Sequence, residues 1–174
     1  MNRGVTIWLT GYSGAGKTTI ANHLHKKLRE RSIVAETIDG DTIRQKLCKD
    51  LGYSREDRCI NIARIGFVAE LLSRHGIWVI VAAISPYRDA RADVRRSIDQ
   101  FVEVYVRCPI KECERRDIKG LYRRARAGEI KSFTGISDPY EEPIAPEIVC
   151  DTEKETIEES IGRIISGLQH LHYL

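Results

Sequence analysis

The chain has 174 residues, 42% of them hydrophobic, and its 28 Lys and Arg against 25 Asp and Glu leave a net charge of only +3. That length buries one core of ordinary size, so a single domain over residues 1–174 is expected, and charges of both signs mixed along the chain exclude a general polyanion binder. Strand-like sequence starts at Val5 with nothing resembling a signal peptide, and the longest wholly apolar run, Ile77 to Ile84, is far too short to span a bilayer. A soluble, cytoplasmic protein with no membrane and no nucleic-acid partner is expected.

The first predicted strand, Val5 to Thr10, runs into GYSGAGKT, the phosphate-cradling pattern G-x-x-x-x-G-K-[ST] placed between a strand and a helix. Gly11, Gly14 and Gly16 tolerate the backbone angles of a loop wrapped around a polyphosphate, and Tyr12, Ser13, Ala15 and Thr19 complete the contact set through their N–H groups. Lys17 is placed to meet the β- and γ-phosphates, Thr18 to offer a hydroxyl to Mg²⁺, and the helix from Gly16 to about Arg31 to add its positive end. ATP with Mg²⁺ is therefore expected.

A second strand, Ser32 to Ile38, leads into Asp39-Gly40-Asp41. Strand side chains two apart share a face, so both carboxylates can point into the crevice at the strand's carboxyl end, where α/β sheets bind ligands. A helix follows from Asp41 to Lys49, with Arg44 one turn after Asp41 and so expected beside it. An Asp N-cap with a surface ion pair explains the same string. Ser54 and Asp57 resemble a capping box that starts a third helix, Arg55 to His75, on which Arg58, Asn61, Ile62 and Ile65 form a stripe. An arginine in such a stripe is costly unless it is paired, binds an anion or snorkels to solvent.

The run IWVIVAAI, Ile77 to Ile84, is continuous, as for a central strand covered on both faces, and Ser85 lies just past its carboxyl end. A helix is expected over Arg88 to Ile98, and then FVEVYV, Phe101 to Val106, alternates as a strand nearer an edge would. Between Arg115 and Arg126 stand six cations against Asp117 alone, which reads as a solvated helix face or a small nucleic-acid patch. Pro139, Pro143 and Pro146 make Thr134 to Pro146 irregular, and a last helix spans Glu155 to about Leu171. Strands alternating with helices make a layered α/β fold with a parallel sheet. Cys48, Cys59, Cys108, Cys113 and Cys150 are odd in number with no C-x-x-C pair, so reduced thiols are expected, with a regulatory disulfide left open.

The phosphate loop leaves motor, switch and kinase open. A switch GTPase would need an N-K-x-D segment and a D-x-x-G placed after a strand, and the chain has neither in that setting. Several long strings together, GYSGAGKTT, DGDTIR, LGYSREDRCINIAR, ISPYRDAR, RRDIKGLYRRARAGEI and FTGISDPYEEP, resemble the adenylylsulfate kinase family over nearly the whole chain.

That resemblance implies a five-stranded parallel sheet of the phosphate-loop kinase type. It implies transfer of the γ-phosphoryl of ATP to the ribose 3′-hydroxyl of adenylylsulfate, within sulfate activation. It places Asp39, Gly40, Asp41, Thr42 and Arg44 along the acceptor nucleotide, Arg58 and Asn61 at its phosphosulfate and ribose, and Tyr53 and Phe133, beside Ser132, around its adenine. Ile84 and Ser85 become a substrate wall, and residues about 115–135 a lid with Lys119 near the acceptor. Lys17, Asp41, Asp39 and Ser85 are the catalytic candidates.

Asp41 is expected to orient the 3′-hydroxyl and take its proton late, and Asp39 to help Thr18 hold Mg²⁺, although these two roles can be exchanged. A phosphorylated Ser85 would need a neighbouring base, and His75, the histidine nearest in sequence, belongs to the other end of the strand, so direct transfer is preferred. A homodimer is implied, and an ATP sulfurylase partner is conceivable. Tyr53, Thr42 and Ala63 depart from the residues usual in the family. The rival readings are another small-molecule kinase, for a sugar acid or nucleoside monophosphate, and a non-catalytic RNA-binding protein using the basic segment.

Overall fold

The computed structural model describes residues 4–174. Five parallel strands form one sheet in the order β2-β3-β1-β4-β5: β1 (Thr6–Thr10), β2 (Ala35–Asp39), β3 (Trp78–Ala82), β4 (Phe101–Arg107) and β5 (Ile148–Asp151). Between and after them run α1 (Lys17–Glu30), α2 (Gly40–Lys46), α3 (Arg55–Arg74), α4 (Arg88–Ser97), α5 (Ile110–Arg116), α6 (Leu121–Arg126) and α7 (Ile157–His170). No helix among the described residues is long and apolar enough to cross a membrane.

Alternation along the strands divides the core between the two faces of the sheet. Ile7 and Leu9 of β1 and Ile80 of β3 pack with Leu24 and Leu28 of α1 and with Ile164 and Leu168 of α7. Trp8, Val79 and Val81 face the other way, onto Ile62, Ile65 and Ala69 of α3 and Val94 of α4. With both faces covered, the sheet's open crevice lies beyond the carboxyl ends of its strands.

Strand β4 does not lie at an edge. It pairs with β1 and β5, and its alternating polar residue, Glu103, is buried because Arg91 and Arg95 neutralise it there. The alternation in FVEVYV therefore marks a buried ion pair rather than a wet face. The edge strands are β2 and β5; the pairing of β2 starts only at Ala35 opposite Trp78, and Ser32 turns left-handed (φ 60°) to close α1.

Strand β5, short and with only Ile148 and Cys150 buried, carried too little pattern to be predicted from its residues, although the family resemblance implies it. Helices α5 and α6 were also missed as separate elements. Asp117 (φ 23°) and Gly120 (φ 65°) break the basic segment between them. At α3 only half of the expected capping box forms. Ser54 Oγ accepts from the Asp57 amide (3.1 Å), but the short Asp57 side chain takes the Gly52 amide (3.1 Å) instead of returning to Ser54. A complete box, Thr156 with Glu159, starts α7.

Candidate active site

The loop between β1 and α1 has the backbone its glycines suggested. Gly11, Gly14 and Gly16 have φ of 153°, 78° and 99°, and a Cβ on Gly11 would lie 2.4 Å from the Val106 carbonyl oxygen. Gly16 stands at the N-cap of α1 with no side-chain cap, and no acid occupies the first turn. The amides and positive end of α1 are thus left for an external anion.

Lys17 folds back over this loop, donating to the carbonyls of Gly11 (2.9 Å) and Tyr12 (2.7 Å). Burial pulls its pKa from 10.5 to about 8, aided by nearby Lys119 and resisted by Cys113, Asp41 and Asp39. A phosphate group would relieve that strain by supplying the missing negative charge. Ala15 is wholly buried in the core, while the Tyr12 ring packs on Tyr140 at 4.8 Å, so these two contribute backbone rather than side chain to the loop.

A cavity of about 680 Å³, large enough for substrate-sized ligands, opens beside the loop. Ser13, Gly14, Gly16, Lys17, Thr18 and Thr19 line one side. Facing them are Asp39, Gly40, Asp41, Thr42, Arg44, Tyr53, Arg58, Asn61, Ile84, Ser85, Lys119, Ser132 and Phe133. These residues come from separate elements over about a hundred positions of chain, and the sheet's carboxyl ends bring them together.

Asp39 ends β2 and caps α2, accepting from the amides of Asp41 (3.0 Å) and Thr42 (3.2 Å) at Oδ1; its Oδ2 accepts from Thr18 Oγ1 (3.0 Å). The cap and the site are thus one carboxylate with two oxygens in different tasks. Asp41 is exposed and ion-pairs with Lys119 across the mouth of the cavity.

Arg44 does not partner Asp41. Its guanidinium donates to the Gly52 carbonyl (2.7 Å) and stacks 4.5 Å from the Tyr53 ring, because α2 turns that face toward the loop before α3.

Arg58 is buried and fully engaged, donating to the carbonyls of Tyr53 (2.9 Å) and Ser132 (2.7 Å), to Thr134 Oγ1 (2.9 Å) and to Asp138 (3.2 Å). It braces the two aromatic-bearing segments against each other, and its counter-charge is Asp138. Asn61, one turn on, is buried with Oδ1 lacking any hydrogen-bond partner in the cavity wall. Such an acceptor calls for a ligand N–H or O–H.

Ser85 is buried in a left-handed conformation (φ 48°), its Oγ accepting from the Trp8 indole (2.9 Å) and its carbonyl from Arg91 (2.5 Å). His75 caps the far end of α3, before β3, at the opposite end of the sheet.

Several residues here carried no signal that singled them out. Trp8 reads as plain core. Arg91 is 3% exposed and donates to Glu103 (2.8 Å) and the Glu141 carbonyl (2.7 Å) as well as to Ser85, tying three segments together. It lies at the end of ISPYRDAR, yet Arg88 and Arg96 on the same helix are exposed, so composition could not distinguish it. Tyr122 lies in the basic segment and is buried.

That segment is largely neutralised by acids that flank or face it. Arg115 and Arg116 pair with Glu112, Arg124 with Glu129, Arg126 with Glu114 and Lys119 with Asp41. Glu112 and Glu114 stand on α5 just before the segment, Glu129 just past α6 and Asp41 across the cavity mouth, so a count from Arg115 to Arg126 sees none of them. A polyanion would meet little unpaired charge here. The five cysteines are free thiols.

The adenylylsulphate kinase family model matches residues 3–151. An adenylyl-sulfate kinase of Rippkaea orientalis is 61% identical over 172 residues, covering 99% of this chain and 95% of the relative. The structure of the Mycobacterium tuberculosis APS kinase CysC in complex with AMPPNP and APS superposes with a TM-score of 0.93 at 44% identity, over 97% of this chain and 99% of that one. A hexameric APS kinase from Thiobacillus denitrificans, 35% identical with a TM-score of 0.75, matches 99% of this chain with 30% of its own. With the phosphate loop, the second-strand carboxylates and the aromatic-lined far wall all held in one crevice, and with relatives matched from end to end, this chain belongs to the adenylylsulphate kinase family.

Proposed function

We propose that the chain transfers the γ-phosphoryl group of ATP to the ribose 3′-hydroxyl of adenylylsulfate, giving 3′-phosphoadenylylsulfate and ADP. The observation that carries this reading is the second half of the cavity. Opposite the nucleotide loop stands a wall with aromatic faces (Tyr53, Phe133) braced by Arg58, and with an orphaned acceptor (Asn61 Oδ1), features that suit a second nucleotide. Membership of the family and the end-to-end likeness to a relative described with AMPPNP and APS support it.

Phosphoryl transfer passes through a loose transition state, so the residues chiefly align and neutralise. Lys17 would leave the Gly11 and Tyr12 carbonyls for the β- and γ-phosphates, while the amides of the loop and of α1 hold them. Thr18 Oγ1 and Asp39 Oδ2, already 3.0 Å apart, would hold Mg²⁺. Mg²⁺ uses few protein ligands and keeps water and phosphate oxygens, which fits a hydroxyl and one carboxylate; bound there it would neutralise phosphate charge. Asp41, released from Lys119, would orient the 3′-hydroxyl and accept its proton late. Lys119 would then be free to meet the acceptor's anionic group. Ser85, its Oγ fixed by Trp8 and with no histidine near, serves as a contact rather than a nucleophile.

A homodimer in the cytoplasm is part of the same reading, and a relative described as hexameric supports its self-association. The decisive experiment is ATP turnover with adenylylsulfate beside gluconate, shikimate and nucleoside monophosphates. Selective turnover with adenylylsulfate is expected, and turnover with another acceptor in its place overturns the reading.

A further inference from the structure

The lid and the nucleotide loop meet at one buried phenol. Tyr122, on α6, is 1% exposed, and its hydroxyl donates to the Ser13 carbonyl of the nucleotide loop at 2.9 Å. The same ring stands nearly perpendicular to the Phe133 ring, at 4.9 Å and 76°, and Phe133 forms part of the wall opposite that loop. From behind, Asp117 holds the position: its two carboxylate oxygens accept from the amides of Tyr122 and Arg123, both at 3.0 Å. Burial pulls the Asp117 carboxyl up, but the amides of Arg123, Tyr122 and Leu121 outweigh it and leave it below the usual carboxylate range. Tyr122 is thus fixed at its hydroxyl, its ring and its backbone.

The loop it touches must rearrange. Lys17 occupies the carbonyls of Gly11 and Tyr12, the residues just before Ser13, and phosphates would draw it away from both. A shift at Ser13 would reach Phe133 through the Tyr122 ring, which touches both.

We infer that Tyr122 is a positioning residue that couples the two substrate sites, so that nucleotide in the loop sets the Phe133 wall and tightens binding of the acceptor. A phenol suits this task, since the ring transmits displacement while the hydroxyl senses the loop. A second contact, where Gly135 packs against the Tyr12 ring, bypasses the hydroxyl, so removing the hydroxyl should weaken the coupling rather than abolish it. The inference rests on the two-nucleotide reading above.

The test is calorimetric binding of adenylylsulfate to the full chain with and without saturating AMPPNP and Mg²⁺, in wild type and in Tyr122→Phe. In the wild type, AMPPNP should tighten adenylylsulfate about tenfold, and by linkage adenylylsulfate should tighten AMPPNP equally. In Tyr122→Phe the factor should fall below about threefold while each ligand bound alone keeps its affinity within about twofold. A tyrosine that serves only the core would lower the melting temperature and leave the factor at the wild-type value. That result, or a wild-type factor of one, overturns the inference. If Tyr122→Phe does not fold, Asp117→Ala, which loosens the backbone of Tyr122, should also lower the factor, and an unchanged factor there overturns it. Absence of adenylylsulfate binding to the wild type overturns the proposed function and this inference with it; binding without coupling overturns this inference alone.

Discussion

Thr18 Oγ1 donates to Asp39 Oδ2 across 3.0 Å, joining the phosphate loop to the end of edge strand β2. The other oxygen, Oδ1, caps α2. Asp39→Asn keeps an oxygen for the cap but removes the charge. Its melting temperature should stay close to wild type while the Mg²⁺ concentration for half-maximal turnover rises about tenfold. Asp39→Ala should in addition lose about 1 kcal/mol with the cap, measurable by urea unfolding. An unaltered Mg²⁺ requirement in both variants would contradict the assignment.

The Asp41 side chain makes no hydrogen bond that the fold depends on, and its partner Lys119 is a surface cation. Asp41→Ala should therefore fold normally, lower kcat by roughly 10²- to 10⁴-fold and change ATP affinity little. Near wild-type turnover would remove Asp41 from the chemistry.

An unsatisfied buried acceptor costs folding energy, so its removal tests whether it serves a ligand. Asn61→Leu should leave stability within about 1 kcal/mol of wild type, or raise it, while KM for adenylylsulfate rises about tenfold. A stability loss with unchanged KM would make Asn61 a packing residue.

Arg91 joins Glu103 of β4 to the carbonyls of Ser85 and Glu141, and replacing it leaves that buried carboxylate only the longer contact to Arg95 (3.4 Å). Arg91→Met should cost about 3–5 kcal/mol, lowering the melting temperature by roughly 10 °C. Arg91→Met with Glu103→Leu should recover part of that loss, because removing both charges leaves neither unpaired. Failure to recover would locate the cost in the carbonyl contacts.

Burial pushes the thiols of Cys113 and Cys150 up to about 12, with Cys108 adding to the effect on Cys113. An acid held that high is almost wholly protonated at pH 8 and therefore inert. Iodoacetamide at pH 8 should leave both unlabelled in the folded chain and react first at partly exposed Cys59, as peptide mass mapping would reveal. Rapid labelling of Cys113, whose backbone lies against Gly14, would reopen a regulatory role.

Much of the site could be read along the chain because its chemistry is local there. GYSGAGKT needs only consecutive residues to present amides and an ammonium to phosphate, and Asp39 and Asp41 share a crevice because strand residues alternate. Length and alternation likewise betrayed the long helices and the apolar strands. Other features had no local signature. β5 is four residues long, and the Glu103 that made β4 look like an edge is buried only because arginines of α4 reach it. Arg44, one turn from Asp41, was drawn instead to Gly52 and Tyr53 by a loop whose path no helical spacing foretells.

By itself the sequence determined the parallel α/β class, the phosphate loop and the family, since these follow from backbone stereochemistry, periodicity and long contiguous strings. Only the tertiary structure decided which charges pair, where Arg58 finds its counter-charge, that Asn61 keeps an unused acceptor, and that Tyr122 spans loop and wall. Those outcomes depend on contacts between residues tens of positions apart, and the low-dielectric interior makes each paired or orphaned polar group count for more than it would along an extended chain.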